Sequence, residues 1–209
     1  MQFLVIEGNI GAGKTTFASM AANDFNAKLV LEQFADNPFL PKFYEDQERY
    51  SFPLELSFLA DRYKQIKKEI LNLDLFHSFL VSDYYFSKTA IFAQNTLQGD
   101  EYHLFRQIFD MVSESMPKPD LYVYLHADVP QLLTNISKRG RDYERHITAD
   151  YLKKIEKGYF SFLKQKHTFP VLVIDINNID FVQKHDDYQV LKSAIFDHKY
   201  ESEINRVIL

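Results

Sequence analysis

The run Gly8-Asn9-Ile10-Gly11-Ala12-Gly13-Lys14-Thr15-Thr16 places three of the chain's six glycines within six positions, directly ahead of a lysine. The apolar residues before it, Phe3-Leu4-Val5-Ile6, read as a buried strand. Thr16 to Phe25, with its alanines and Phe17 on one side, reads as a helix. The glycines therefore sit where a strand becomes a helix N-terminus, and there unpaired backbone N–H groups and the helix dipole favour an anion. Positions 8–15 satisfy G-x-x-x-x-G-K-[ST], the phosphate-binding P-loop. Glycine lets the backbone close around a phosphate without a Cβ clash, Lys14 supplies charge, and Thr15 offers a hydroxyl to Mg²⁺. A turn that merely joined strand to helix would explain the glycines but not Lys-Thr in this register. The residues imply binding of a nucleoside triphosphate by Gly8 to Thr16.

Such a loop belongs to an α/β architecture, and the rest of the chain fits one. Apolar runs at residues 2–6, 28–32, 79–82, 121–125 and 171–175 predict five strands separated by long stretches of helical periodicity, hence a parallel sheet flanked by helices. Phe52, Leu56, Leu59, Tyr63, Ile66 and Ile70 fall at alternating spacings of four and three, the stripe of one long helix. Asp128 reads as the N-cap of another helix, with Pro130 in its first turn. Pro117 and Pro119 punctuate the entry to the fourth strand. Without an internal repeat, a low-complexity segment or a Gly/Ser linker, residues 1–209 read as one domain.

Composition removes several functions. A formal net charge of −5 argues against a sequence-independent nucleic-acid binder. The absence of cysteine excludes disulfides, thiol catalysis and zinc–thiolate sites, and the seven histidines show no metal-motif spacing. No apolar run approaches the ~20 residues of a membrane span. The chain enters a core strand almost at once, so the expectation is a cytoplasmic protein with no signal peptide and no membrane partner.

Three further clusters carry charge to the carboxyl ends of strands, the ligand side of an open parallel sheet. Glu32 closes the second strand, where a carboxylate can take a proton from an attacking hydroxyl or simply sit solvated. Asp83 closes the third, placed either to hold Mg²⁺ or to cap the next helix. The segment Ser137-Lys-Arg-Gly-Arg-Asp-Tyr-Glu-Arg145 gathers Arg139, Arg141 and Arg145 around Glu144. Phosphoryl transfer needs cations about the migrating group, and a closing lid would supply them; a helix C-terminus stabilised by arginine needs only one or two.

With these residues in view, the chain resembles the deoxynucleoside kinases, most nearly a bacterial deoxyadenosine-kinase-like branch. The blocks that carry the resemblance are "EGNIGAGKTT", the segment from Glu32 to Asp46, "RYSFPLELSFLADRYKQI", "RGRDYE" and "VIDINNIDF". The resemblance implies a P-loop NTPase fold with a five-stranded parallel sheet, an Arg-rich lid and a homodimer formed through long helices. It implies ATP as donor, with Lys14, Thr15, Arg139, Arg141 and Arg145 on its phosphates, and Mg²⁺ near Thr15 and Asp83. Glu32 would be the general base for the 5′-hydroxyl, and Tyr44 and Glu144 would hold the 3′-hydroxyl. Glu55, Phe58, Arg62 and Phe92 would surround the base. Glu55 and Arg62 lie seven apart, hence on one helix face, an arrangement equally familiar as a solvated pair. The stripe from Phe52 to Ile70 suits a dimer interface or packing within one subunit.

The chain also departs from that family. An acid-Arg-Ser motif is expected after the third strand, where Asp83-Tyr84-Tyr85 stands, so one cation is missing and a lid arginine or Lys88 must compensate. An aspartate expected a few residues on is replaced by Ser87 or Lys88, and a base-reading glutamine by Glu55. An ionised Glu55 offers acceptors only. That disfavours thymine, whose ring N–H is flanked by carbonyls, leaves deoxycytidine open, and slightly favours guanine. The resembling branch shifts the expectation to deoxyadenosine, with deoxyguanosine next. A nucleoside monophosphate kinase and a non-catalytic nucleotide sensor are the competing readings.

Overall fold

The computed structural model describes residues 1–33, 37–71 and 76–209. The side chain of Ile70, last in the predicted stripe, and residues 34–36 within the Glu32–Asp46 block lie outside the described residues. Among the described residues six strands form one sheet: β1 (Phe3–Gly8), β2 (Lys28–Val30), β3 (Leu80–Ser82), β4 (Leu121–His126), β5 (Val171–Asp175) and β6 (Ile204–Ile208). Their order is β2-β3-β1-β4-β5-β6, and every neighbouring pair is parallel. Five strands were expected, and β6 is the correction. It pairs with β5 on one side only, so its Ile-Asn-Arg-Val-Ile sequence needs no continuous apolar run.

The helices are α1 (Lys14–Phe25), α2 (Leu40–Glu45), α3 (Gln47–Leu71), α4 (Ser87–Thr96), α5 (Gly99–Ser113), α6 (Val129–Arg139), α7 (Ala149–Leu163) and α8 (His185–Phe196), with a 3₁₀ turn at Asp142–His146. Period-two alternation divides the core between the two faces of the sheet. Leu4 and Ile6 of β1 point into one cluster with Phe17 and Ala21 of α1 and Leu191 of α8. Phe3 and Val5 point into the other with Leu59 and Ile66 of α3, Ile91 of α4, Phe105 of α5 and Tyr159 of α7. Each large side chain buried in this way contributes about 1.5–3 kcal/mol. Both faces of β1 are covered, which explains why Phe3 to Ile6 is apolar without interruption.

Two boundaries move for local reasons. β2 stops at Val30 instead of running to Glu32, because the Glu32 N–H leaves the ladder and donates to Asp83 Oδ1 at 2.7 Å. α3 begins at Gln47, ahead of the predicted Phe52, and continues through Pro53. Asp128 does occupy the N-cap of α6, but its side chain makes no capping bond.

Candidate active site

The P-loop wraps from β1 into α1, and its glycines are there for space. Gly11 has φ 87°, and a Cβ on it would lie 2.7 Å from the Leu132 carbonyl oxygen; Gly13 has φ 81° and would meet the Phe181 ring at 2.6 Å. Asn9 fixes the loop from below, its side-chain amide donating to the Leu152 carbonyl at 2.9 Å. Lys14 Nζ donates back to the Asn9 carbonyl at 2.9 Å. Burial, and then the Lys88 ammonium, lower the Lys14 pKa to about 8. Beneath the loop Glu7 is fully buried. Its Oε1 accepts from the Tyr85 N–H and its Oε2 from the Tyr159 hydroxyl, each at 2.8 Å. Burial pushes the Glu7 carboxyl up, against the pull of Lys88 and Lys14.

Two cavities open on this end of the sheet. The first is lined by Ile10, Glu32, Tyr44, Glu55, Phe58, Arg62, Asp83, Lys88, Phe92 and Glu144, among others. The second is lined by Gly11 to Thr16, the α6 face carrying Gln131 and Asn135, and the loop from Ile176 to Lys184. Lys14, Thr15, Arg139 and Arg141 line both. A group passing from one cavity to the other passes four side chains that carry three cations and a hydroxyl. Of the residues assigned from the sequence, Gly8, Asn9 and Arg145 line neither cavity. Arg145 is directed outward, 74% exposed and paired with Asp142 at 2.6 Å.

Glu32 is held on both oxygens. Arg62 donates from Nε and Nη2 to Oε1 at 2.9 and 2.5 Å, and Lys88 Nζ donates to Oε2 at 2.5 Å. Burial alone would raise the Glu32 pKa, but the two cations hold it down at about 2, so the carboxylate is ionised. Arg62 was expected at the base. Its remaining Nη1 donates instead to Thr89 Oγ1 at 2.9 Å, so each nitrogen of the guanidinium is engaged, with its carbon 4.7 Å over the Phe58 ring. Asp83 links the loop to this carboxylate. Its Oδ2 accepts from Thr15 Oγ1 at 2.5 Å while its Oδ1 takes the Glu32 N–H. It does not begin a helix, since α4 starts at Ser87. A hydroxyl and a carboxylate side by side form a hard-oxygen donor set. No group of three or more His, Cys, Asp or Glu positioned to hold a metal occurs among the described residues. That pairing fits Mg²⁺, which keeps waters and phosphate oxygens as its other ligands.

Glu55 is 2% exposed; its Oε1 accepts from Thr96 Oγ1 at 2.8 Å, and its buried Oε2 has no hydrogen-bond partner. Burial raises its pKa to about 7, with Thr96 and Arg62 pulling it down and Glu32 pushing it up. The lid begins where Gly140 ends α6 in a left-handed turn. Beyond it the buried Glu144 accepts from Arg139 Nη2 at 2.6 Å and from Arg141 Nη1 at 3.3 Å. Tyr143 stacks on Tyr44 at 6.1 Å, and both line the first cavity. Burial and Glu144 together raise the Tyr44 pKa, so its hydroxyl stays protonated. Sequence reasoning missed Glu7, Tyr143, Thr96 and the loop 176–184 as parts of the site; each is brought there by contacts between distant segments.

An anion cradle at the end of β1, facing a half-apolar cavity across an ionised carboxylate, is the layout of a P-loop phosphotransferase. Residues 4–199 match the deoxynucleoside kinase family, and the chain belongs to that family. It is 36% identical over 197 residues to a deoxyguanosine kinase of Bacillus subtilis, covering 92% of this chain and 95% of that protein. It is 28% identical over 199 residues to a deoxyadenosine/deoxycytidine kinase of the same organism, covering 92% and 90%. The fold matches a deoxyadenosine kinase from M. mycoides with bound dATP at a TM-score of 0.78, with 23% identity over 93% of this chain and 99% of that one. No helix among the described residues is long and apolar enough to cross a membrane.

Proposed function

We propose that the chain phosphorylates the 5′-hydroxyl of a purine deoxynucleoside with ATP and Mg²⁺, taking deoxyguanosine ahead of deoxyadenosine. The nucleoside occupies the first cavity and the donor the second. Glu32 is the base, Lys14, Arg139 and Arg141 attend the phosphates, and Thr15 and Asp83 would hold the metal that offsets phosphate charge. Tyr44 and Glu144 take the 3′-hydroxyl.

The observation that carries the choice of base is the unpartnered, buried Glu55 Oε2 in the acceptor cavity. Guanine presents two adjacent donors to such a carboxylate, whereas thymine presents a donor between two acceptors. The resembling branch led to deoxyadenosine first; the unpaired carboxylate oxygen, together with a deoxyguanosine kinase at 36% identity, supports the reverse order. A monophosphate acceptor suits this cavity less well, because Arg62 is already bound to Glu32 and Thr89. A homodimer is part of the same reading, supported by Leu104 and the 71% exposed Met111, which lie seven residues apart on one face of α5. Steady-state kcat/KM for the four deoxynucleosides with ATP and Mg²⁺ tests the assignment. A preference for thymidine refutes it.

A further inference from the structure

Five basic side chains line the acceptor cavity, and four of them have tasks. Lys14 belongs to the P-loop, Arg139 and Arg141 to the lid, and Arg62 is bound on every nitrogen. The fifth, Lys88, rises from the first turn of α4 and is 7% exposed. Its ammonium lies 5.6 Å from the Phe92 ring centroid and makes one hydrogen bond among the described residues, to Glu32 Oε2. An ammonium has three donors. Lys88 therefore brings N–H groups into the cavity beyond the one that Glu32 takes. Tyr84, at the position after Asp83, cannot do this: it is fully buried and its hydroxyl donates to Gln65 Oε1 at 2.8 Å.

The surroundings indicate what those donors are for. The Lys88 charge is felt at Lys14, across the space between base and P-loop, and there it disfavours a second cation. Two buried ammonium groups facing one gap repel, and an anion placed between them relieves the repulsion. The two anchors on Glu32 also differ in kind. Arg62 grips Oε1 through a rigid fork backed by Thr89 and Phe58, whereas Lys88 reaches Oε2 as a point charge on a flexible stem.

We propose that Lys88 is a catalytic cation that moves from Glu32 Oε2 to the transferring phosphoryl group, while Arg62 stays behind and keeps the carboxylate aimed. In the transfer the 5′-oxygen forms its bond to the γ-phosphorus, and the bond from that phosphorus to the β,γ-bridging oxygen breaks. The 5′-hydroxyl proton goes to the Glu32 oxygen that Lys88 has vacated, and the nucleoside diphosphate leaves with the bridging oxygen. Lys88 keeps its proton throughout and contributes charge where charge develops. The inference rests on the deoxynucleoside kinase reading and adds a role for one residue to it.

The test is steady-state kinetics of wild type, Lys88→Met, Lys88→Gln and Lys88→Arg with the preferred deoxynucleoside, ATP and Mg²⁺, alongside ATP binding and thermal midpoints. Lys88→Met and Lys88→Gln should each lose about 10²–10³ in kcat with the nucleoside KM nearly unchanged, as expected for a donor acting on transition-state charge. Lys88→Arg should recover at least about tenfold of that loss. If Lys88→Met does not fold, Lys88→Gln carries the same reading. Retention of kcat within about threefold, or a loss confined to nucleoside KM, overturns the role of Lys88. An inactive wild type on all four deoxynucleosides would overturn the kinase reading itself, which separates the two failures.

Discussion

If Glu55 reads the base as proposed, base preference should be a function of pH. Its carboxyl is held up to about 7 by burial. Below that it is a neutral acid with one donor and one acceptor, which matches the acceptor and amine on the pairing edge of adenine. Above it the group is a carboxylate with acceptors only, which matches the two donors of guanine. The ratio of kcat/KM for deoxyguanosine over deoxyadenosine therefore follows the ratio of ionised to neutral Glu55 in the free enzyme, since kcat/KM reports free-enzyme ionisation. Ionisation alone would change that ratio about 100-fold between pH 6 and 8. A mispaired buried polar group costs roughly 1–3 kcal/mol, about 5- to 150-fold, and this sets the ceiling. The pairing penalty is the smaller limit over most of that span, so a rise of about tenfold is expected. The assay is direct competition between the two nucleosides across pH 5.5 to 8.5 (on the order of three units, centred on the Glu55 pKa). Titrations shared by both reactions, those of Glu32 and the donor phosphates included, cancel in the ratio. Glu55→Gln should be flat. A wild-type ratio constant within about twofold, or the same slope in Glu55→Gln, refutes the assignment of Glu55 to the base.

Glu32→Gln should lose about 10²–10⁴ in turnover while ATP binding, followed by calorimetry, stays nearly unchanged; more than half of the activity remaining would remove Glu32 as the base. Lys14→Ala should weaken ATP binding by roughly tenfold or more, the loss of a charge-assisted bond of about 1.5–3 kcal/mol, and an unaltered calorimetric affinity would misplace the donor. Arg141→Ala should lower kcat on the order of tenfold with little effect on nucleoside KM; an effect on KM alone would make the lid a substrate-positioning device. For stability, the unfolded chain releases the Glu55 proton near pH 4.5 while the folded protein keeps it to about 7. Wild-type stability should therefore fall by up to about 3 kcal/mol across that interval and level off above it, and urea unfolding of Glu55→Gln should lack this component.

What the sequence revealed was local. The P-loop is legible because its function is written in consecutive spacing, and β5 because a strand covered on both faces is a plain apolar run. Glu32 and Asp83 were legible as acids at strand ends, but not the bond between them, which shortens β2. The pairing of Arg62 with Glu32 joins residues thirty apart, and that of Lys88 with Glu32 residues fifty-six apart. Helix periodicity put Arg62 on the same face as Glu55 and could not say which acid it would take. Arg145 was grouped with the other lid arginines by proximity in sequence, yet the 3₁₀ turn directs it outward. β6 escaped because a half-solvated edge strand alternates too weakly to stand out.

The carboxylate of Glu144 is one acceptor claimed by two arginines, and it lines the first cavity. These ion pairs latch the lid, and on the proposed reading a triphosphate would have to compete with Glu144 for Arg139 and Arg141. On the proposed assignment, a donor that took both arginines would leave Glu144 buried and short of hydrogen-bond donors, a state that the 3′-hydroxyl would relieve. The donor would thus act on the acceptor through Glu144, by removing the arginines that hold it. Linkage would then require that donor binding tighten acceptor binding by the same factor that acceptor binding tightens the donor. An enzyme built this way would hold its lid shut in the absence of substrates and favour the ternary complex over either binary one.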